Sequence, residues 1–427
     1  MGYKPSSPVF LGDIILLEDS KREPLSSMQR ASRKGQYPYY GAQGIVDYLS
    51  DYTFEGKRLL VAEDGENLRS RKLPIANSVD GKFRVNNHAH VLCETSKCNI
   101  DYLRFYLNST DISAYITGST QPKLSQTSLL GMRLDLPPKE KQDAIVSFLA
   151  AIERKINLNT RLNGYLAEIA DALFTDAFGN LEDNAVLSDI AKITMGQSPA
   201  GTSYNEEGVG TVFYQGRGEF GWRYPTQRLF TTEPKRMAKS GDVLMSVRAP
   251  VGDLNLAYED CCIGRGLVAI SCDYPSYCLY LMRSLGKKLD AYNGEGTVFG
   301  SISGNALKGI GIGLPGNDDI AAFEAMVAPI DDQIRCNETE SRFLSQLRDA
   351  LLPKLMSGEI DVSKVDLKQL NSHLAKSLRQ LGRHVSPHKN GATRTPASCP
   401  IPPAFTPQRQ SAPLSTSQRS RQTSPCV

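Results

Sequence analysis

The chain has 427 residues, 40% of them hydrophobic and 22% charged, with a formal net charge of +3, which is the make-up of two or three soluble globular domains. No apolar run approaches the ~20 residues that cross a bilayer and the first residues hold no apolar signal segment, so the sequence reads as cytoplasmic and without a membrane partner. The nine cysteines are an odd number with neither framework nor zinc spacing and read as reduced thiols.

Residues 1–136 read as a first mixed α/β unit. Short β-like runs at 9–17, 44–49, 58–62, 89–93 and 132–136 predict strands, and Gly41-Ala-Gln-Gly44, Asp64-Gly65 and Asp80-Gly81 mark turns between them. Leu103, Tyr106 and Leu107 share one face of a helix predicted to begin at Asp101. The loops mix Arg, Lys, Gln and aromatic side chains with Gly. Such side chains bond base edges or stack on bases, while Gly lets the backbone approach phosphate. Tyr39, Gln43, Arg69, Arg71, Lys72, Gln121 and Lys123 are therefore candidate DNA contacts. His88 and His90 are candidate metal ligands without a third partner, and a hydrogen-bonding role near a strand start suits them better. Asp51 with Glu55 and Lys57 matches a metal-nuclease pattern only as far as short acid–acid–Lys runs do by chance.

Residues 137–180 predict a long helix, opened by Pro137-Pro138 and closed near Gly179. Ile145, Ile152, Asn159, Leu166 and Leu173 recur every seven residues, with Leu149, Ile156, Asn163 and Ala170 between them. An apolar seam of that period predicts a coiled coil, and an Asn inside it costs stability but fixes register.

Residues 181–314 predict a second mixed α/β unit. Leu187-Ser-Asp-Ile190 echoes Leu11-Gly-Asp-Ile14, residues 241–248 echo 56–63 in pattern, and 277–285 match the short helix of the first unit. Gln215, Arg217, Trp222, Arg223 and Arg248 are its candidate DNA contacts, with Arg265 in a similar glycine-flanked setting. Trp222 is the only Trp, between Gly and Arg in a polar stretch.

Residues 315–360 predict a second long helix. Its seam is Phe323, Ile330, Asn337, Leu344 and Leu351, with Val327 and Ile334 between them. It aligns with the first helix without a gap at an offset of 178, and from Gly118/Gly296 to Phe174/Leu352 15 of 57 positions are identical. The chain therefore repeats a globule followed by a helix. Antiparallel pairing would bring Asn159 and Asn337 together. Pro329 predicts a kink or restart, and Pro353 a bend or an end. Residues 361–427 form a basic tail, Ser/Pro/Thr/Arg-rich from about 384 and predicted to be largely disordered. From residue 363 onward it has ten Lys or Arg and one acid, Asp366, a net +9 that leaves −6 on residues 1–362.

There is no G-x-x-x-x-G-K-[ST] loop, no G-x-G-x-x-G between a strand and a helix, and no Asn-Pro-Pro-Tyr-like loop. The chain is expected to bind no cofactor and to recognise or scaffold rather than catalyse.

The segment Leu347-Arg-Asp-Ala-Leu-Leu-Pro-Lys-Leu-Met-Ser-Gly-Glu-Ile-Asp-Val362 closely resembles the closing segment of specificity (S) subunits of type I restriction–modification systems. The runs Phe148-Leu-Ala-Ala-Ile-Glu-Arg-Lys-Ile-Asn-Leu-Asn-Thr-Arg-Leu-Asn163, Tyr40-Gly-Ala-Gln-Gly-Ile-Val-Asp-Tyr48 and Ser246-Val-Arg-Ala-Pro-Val-Gly252 are similar to that family too, and the likeness stops before the tail. The resemblance implies an α+β, pseudo-two-fold chain, with two target recognition domains held apart by two antiparallel coiled-coil helices. Each domain would read one half of a bipartite double-stranded DNA target. The helices would dock two methyltransferase (M) subunits, which bind S-adenosylmethionine and methylate adenine N6. Restriction/translocase (R) subunits would bring ATP and Mg. About 36 helical residues at ~1.5 Å each reach ~54 Å, roughly one and a half turns of B-DNA, so a fixed unread spacer is expected. The competing reading is a free-standing DNA-binding regulator or decoy with a coiled-coil spacer.

Overall fold

The computed structural model describes residues 8–294 and 300–362. The expectation of a disordered tail falls outside them. Two globules of mixed strand and helix content alternate with two long helices.

Arg58–Ala62 and Ala89–Cys93 are apolar runs buried almost throughout, as strands covered on both faces should be. They form the centre of an antiparallel sheet ordered Leu16–Leu17, Ala89–Cys93, Arg58–Ala62, Ala76–Val79. Leu60, Val79, Ala89 and Val91 face Phe54, Phe83 and Val85 of a second, mixed sheet. In that sheet Lys34–Gly41 pairs antiparallel with Gly44–Leu49 and parallel with Lys82–Val85.

The second globule repeats this plan. Its antiparallel sheet runs Lys192–Met195, Leu267–Ser271, Val243–Ser246, Leu254–Leu256. Its mixed sheet again holds one parallel pair, Thr211–Tyr214 with Cys261–Ile263. Leu244, Leu267 and Ala269 pack between the two sheets against Val212, Tyr214 and Ile263. On the other face Val243, Met245, Val268 and Ile270 meet Tyr277 and Leu281 of the helix Pro275–Ser284, and then Phe174, Phe323 and Val327 of the long helices.

Some strand expectations needed correction. The run 9–17 is broken into Val9–Phe10 and Leu16–Leu17 by a tight turn, Leu11–Asp13. Leu11 is fully buried and a Cβ on Gly12 would lie 3.3 Å from Leu130, so packing sets the turn. Lys34–Gly41, Ala76–Val79 and Lys82–Val85 are strands that the pattern did not announce.

The long helices are Lys139–Phe178 and Asn317–Met356. The second continues through Pro329 and past Pro353, because Leu355 is only 2% exposed and its burial outweighs the proline stop signal. The two run antiparallel. Lys155 meets Glu340 at 2.9 Å, Asn159 Nδ2 donates to Asn337 O at 3.2 Å, and Asn163 Nδ2 donates to Ile334 O at 3.3 Å. Ile145, Ile152, Asn159, Asn337 and Leu344 are buried, while Leu166 and Ile330 are half-buried. Toward the outer ends the seam seats globules as well: Phe174 meets both Phe323, at a ring distance of 5.6 Å, and Tyr277, at 5.7 Å.

Candidate nucleic-acid interface

In the first globule residues 117–123 form a closed loop. Thr117 and Lys123 exchange main-chain bonds at 2.8 Å in both directions. Gly118 has φ +84°, and a Cβ there would meet Gln121 O at 2.2 Å, so the turn requires glycine. Arg69 is exposed, yet its guanidinium is spent on the carbonyls of Gly118 and of Ser119, the latter at 3.0 Å. Gln121 is exposed within the loop, and Lys123, also exposed, pairs with Glu63 at 3.3 Å. Gln43 is exposed between the strands Lys34–Gly41 and Gly44–Leu49, and Lys72 is exposed after the short helix Asn67–Ser70.

In the second globule Gln215 and Arg217 are exposed beyond the end of Thr211–Tyr214, with Arg217 3.0 Å from Asp253. Arg248 and Arg265 are exposed. Trp222 is 59% exposed, an aromatic face open for stacking.

Three candidate contacts are corrected to structural roles. Tyr39 is 1% exposed, its hydroxyl donating to Glu23 O and accepting from Leu25 N, both at 2.9 Å; its position in the strand points it inward. Arg71 adopts φ +51° and donates to Leu107 O at 2.7 Å and Thr110 O at 2.8 Å, closing the end of the helix Ile100–Ser109. Arg223 is buried and donates to Asp331 on the second long helix. At the equivalent place on the first long helix Glu153 holds Arg104 at 2.9 Å. The sequence carried no local signal for these two anchors, because their partners lie far away in the chain.

The type I restriction modification DNA specificity domain matches residues 3–167. A type I restriction enzyme MjaX specificity subunit of Methanocaldococcus jannaschii is 31% identical over 287 residues, which span 61% of this chain and 67% of that protein. The chain belongs to the type I restriction enzyme specificity subunits. The MjaIX specificity subunit of the same organism is 23% identical over 384 residues, 78% of this chain and 88% of its own. The crystal structure of a type I restriction-modification S subunit from M. genitalium overlays with a TM-score of 0.58 at 15% identity, covering 83% of this chain and 97% of that one. That overlay supports the α+β fold. The function of the specificity subunit is DNA target recognition.

Other polar clusters of this specificity subunit are accounted for by internal pairing. Asp51 binds Arg33 at 2.6 Å and Arg84 at 2.8 Å, Glu55 faces Lys82 at 3.9 Å, and Lys57 pairs with Asp101. The three residues of the nuclease-like pattern thus go to separate partners. His88 turns to Asp64 at 2.8 Å. His90, Asp19 and Glu63 converge in a metal-ligand-like group. Arg22 serves that group as its cation, reaching Glu63 at 2.6 Å and Asp19 at 3.2 Å. Among the described residues no helix is long and apolar enough to cross a membrane.

The first long helix of the specificity subunit also carries an open apolar stripe. Leu158, Leu162, Tyr165 and Ile169 are 58%, 40%, 55% and 50% exposed. Their spacing keeps them on one helical face, flanking the seam.

Proposed function

We propose that this specificity subunit reads a bipartite DNA target, with residues 1–136 reading one half and 181–314 the other. In this reading the helix pair is a pseudo-two-fold, antiparallel coiled-coil spacer that fixes the gap. The observation that carries it is the Asn159–Asn337 contact. Its two members stand 178 residues apart, the offset of the sequence repeat, so each Asn meets its own counterpart, which supports a pseudo-two-fold relation between the helices. The repeated strand order of the two globules supports the same axis. Gln43, Lys72, Gln121 and Lys123 then contact the first half-site, and Gln215, Arg217, Trp222 and Arg248 the second. Arg69 acts by shaping the 117–123 loop.

The stripe from Leu158 to Ile169 supports docking of a partner on the helices, which we assign to the two methyltransferase (M) subunits. They supply S-adenosylmethionine chemistry at adenine N6. Restriction/translocase (R) subunits supply ATP- and Mg-dependent cleavage, and this cytoplasmic chain supplies sequence choice without catalysis.

A genome-wide map of adenine N6 methylation tests the reading, in cells expressing the chain with its cognate methyltransferase subunit. A split motif with a constant gap, absent when the chain is omitted, is the expected result. No new motif, with an active partner present, would favour a free-standing DNA-binding regulator or decoy. Exchanging residues 1–136 for another recognition domain should alter one half-site only; a change in both would contradict modular reading.

A further inference from the structure

His90 is fully buried in the strand Ala89–Cys93. Its Nδ1 lies 2.6 Å from Asp19 Oδ2, and its Nε2 lies 2.8 Å from Leu124 O. The ring therefore bridges a carboxyl group at one nitrogen and a main-chain carbonyl at the other. The charged groups around it come from several elements. Asp19 lies on the turn Asp19–Lys21 and also accepts from Val91 N at 2.8 Å. Arg22 follows that turn and donates to Ala89 O at 3.0 Å. Glu63, just beyond Arg58–Ala62, lies 3.8 Å from Nδ1 and takes Arg22 and Lys123. On the same strand side, His88 turns away to Asp64.

Leu124 is the residue that leaves the 117–123 loop. Its N–H donates to Glu63 O at 2.8 Å, and Gly65 N donates to Pro122 O at 3.1 Å. The base of the loop is therefore held on one side by the backbone after Arg58–Ala62 and on the other by the His90 ring. We propose that His90, braced by Asp19, is a positioning residue that locks the 117–123 loop for reading the first half-site. The inference rests on the bipartite reading above. Among the described residues of the second globule, Val268, buried in Leu267–Ser271, stands at the 178-residue offset from His90.

The test uses the full chain, wild type and His90→Gln. Gln carries its donors at one end only and cannot bridge both oxygens. The first readout is amide hydrogen exchange without DNA: residues 117–124 should exchange about tenfold faster in His90→Gln, with 267–271 unchanged. The second uses the complex with its methyltransferase subunit, bound to duplexes carrying one changed base in either mapped half-site. Discrimination at the first half-site should fall about tenfold in the variant. Discrimination at the second half-site should stay constant. Unchanged exchange at 117–124 would overturn the lock whatever the DNA data show. Faster exchange with unaltered first-half discrimination would overturn its role in reading. Equal loss at both half-sites would mark a global defect and overturn the assignment. If wild type discriminates at neither half-site, the bipartite reading fails, and the exchange data still decide the lock.

Discussion

Asn159 donates its Nδ2 hydrogen to the main-chain oxygen of Asn337 at 3.2 Å across the helix pair. Asn337 in turn donates to Asn163 Oδ1 at 2.8 Å, and all three amides are buried. A buried amide in an apolar seam is costly unless its bonds are made. Sliding one helix by a turn would break these bonds, so the polar cluster selects one register.

Replacing Asn337 with Leu should therefore destabilise the chain by about 1–3 kcal/mol, because Asn163 Oδ1 loses its donor inside the seam. The shift is read from the urea midpoint. Replacing Asn159, Asn163 and Asn337 together with Leu should restore or raise that midpoint, since no buried amide is left wanting. Register should then be less strictly held, and the methylation map should show more than one gap length. A triple variant as unstable as the single one would contradict the argument.

The Arg223–Asp331 pair ties the second globule to its long helix. Burial alone would favour loss of the Arg223 charge, but Asp331 and the Tyr280 hydroxyl hold the guanidinium firmly protonated. Asp331→Ala leaves that charge buried with the hydroxyl, 3.4 Å away, as its remaining side-chain partner. Breaking one side of a buried pair costs about 3–5 kcal/mol. Trp222 is the adjacent residue and the only Trp, so its fluorescence in a urea titration reports the loss locally. A midpoint equal to wild type would remove this anchor from the account.

Acid should loosen the first globule. Burial would push the carboxyls of Glu18, Glu63 and Asp101 up, but it is outweighed by bonds from Arg58 and Lys21 to Glu18, from Arg22 to Glu63, and from Lys57 and Ser78 to Asp101. All three are held below their ordinary range. A carboxyl whose acidity is strengthened by folding stabilises the protein above its unfolded value, about pH 4, and that stability is lost as pH falls through the folded value. Amide exchange in Arg58–Ala62 and Ala89–Cys93 should quicken below about pH 4, ahead of Val243–Ser246. Simultaneous opening of both sheets would contradict this placement of acid sensitivity.

The long helices were legible because a heptad is a local pattern, and the Asn159–Asn337 meeting followed from the two matching seams once antiparallel pairing was assumed. The DNA-facing side chains were only half legible. Arg217 and Arg248 stand exposed, whereas Arg71 and Arg223, in equally polar, Gly- or Ser-containing stretches, are spent inside. What separates them is where the partner lies: Arg71 is drawn inward to Leu107 O, 36 residues away, and Arg223 to Asp331, 108 away, whereas Arg217 meets Asp253 at the surface, and no local window distinguishes these cases. Tyr39 was misplaced because its strand, interrupted by Pro38, was not recognised, so its inward parity was invisible. His90 was noticed for its chemistry, but its two hydrogen-bond partners come from positions 19 and 124 and only folding brings them together.

The exposed stripe gives the last prediction. Four large apolar side chains on one face of a helix, each 40% or more exposed, are an excess of wet surface that a docked partner would cover. Leu162 and Tyr165 lie near its middle and are 40% and 55% exposed, so Leu162→Asp with Tyr165→Asp adds charge where water already reaches. The folded chain should tolerate both, with its urea midpoint little moved. Burying two carboxylates in an apolar interface is costly, so co-purification with the methyltransferase subunit should fall by at least about tenfold. The equivalent face of the second helix carries Cys336, Glu340, Phe343 and Leu347, which is less apolar. If docking uses both faces, the doubly substituted chain should still retain one methyltransferase subunit, and analytical ultracentrifugation should find a complex one subunit lighter. Undiminished binding of two subunits would show that the stripe is not the docking face.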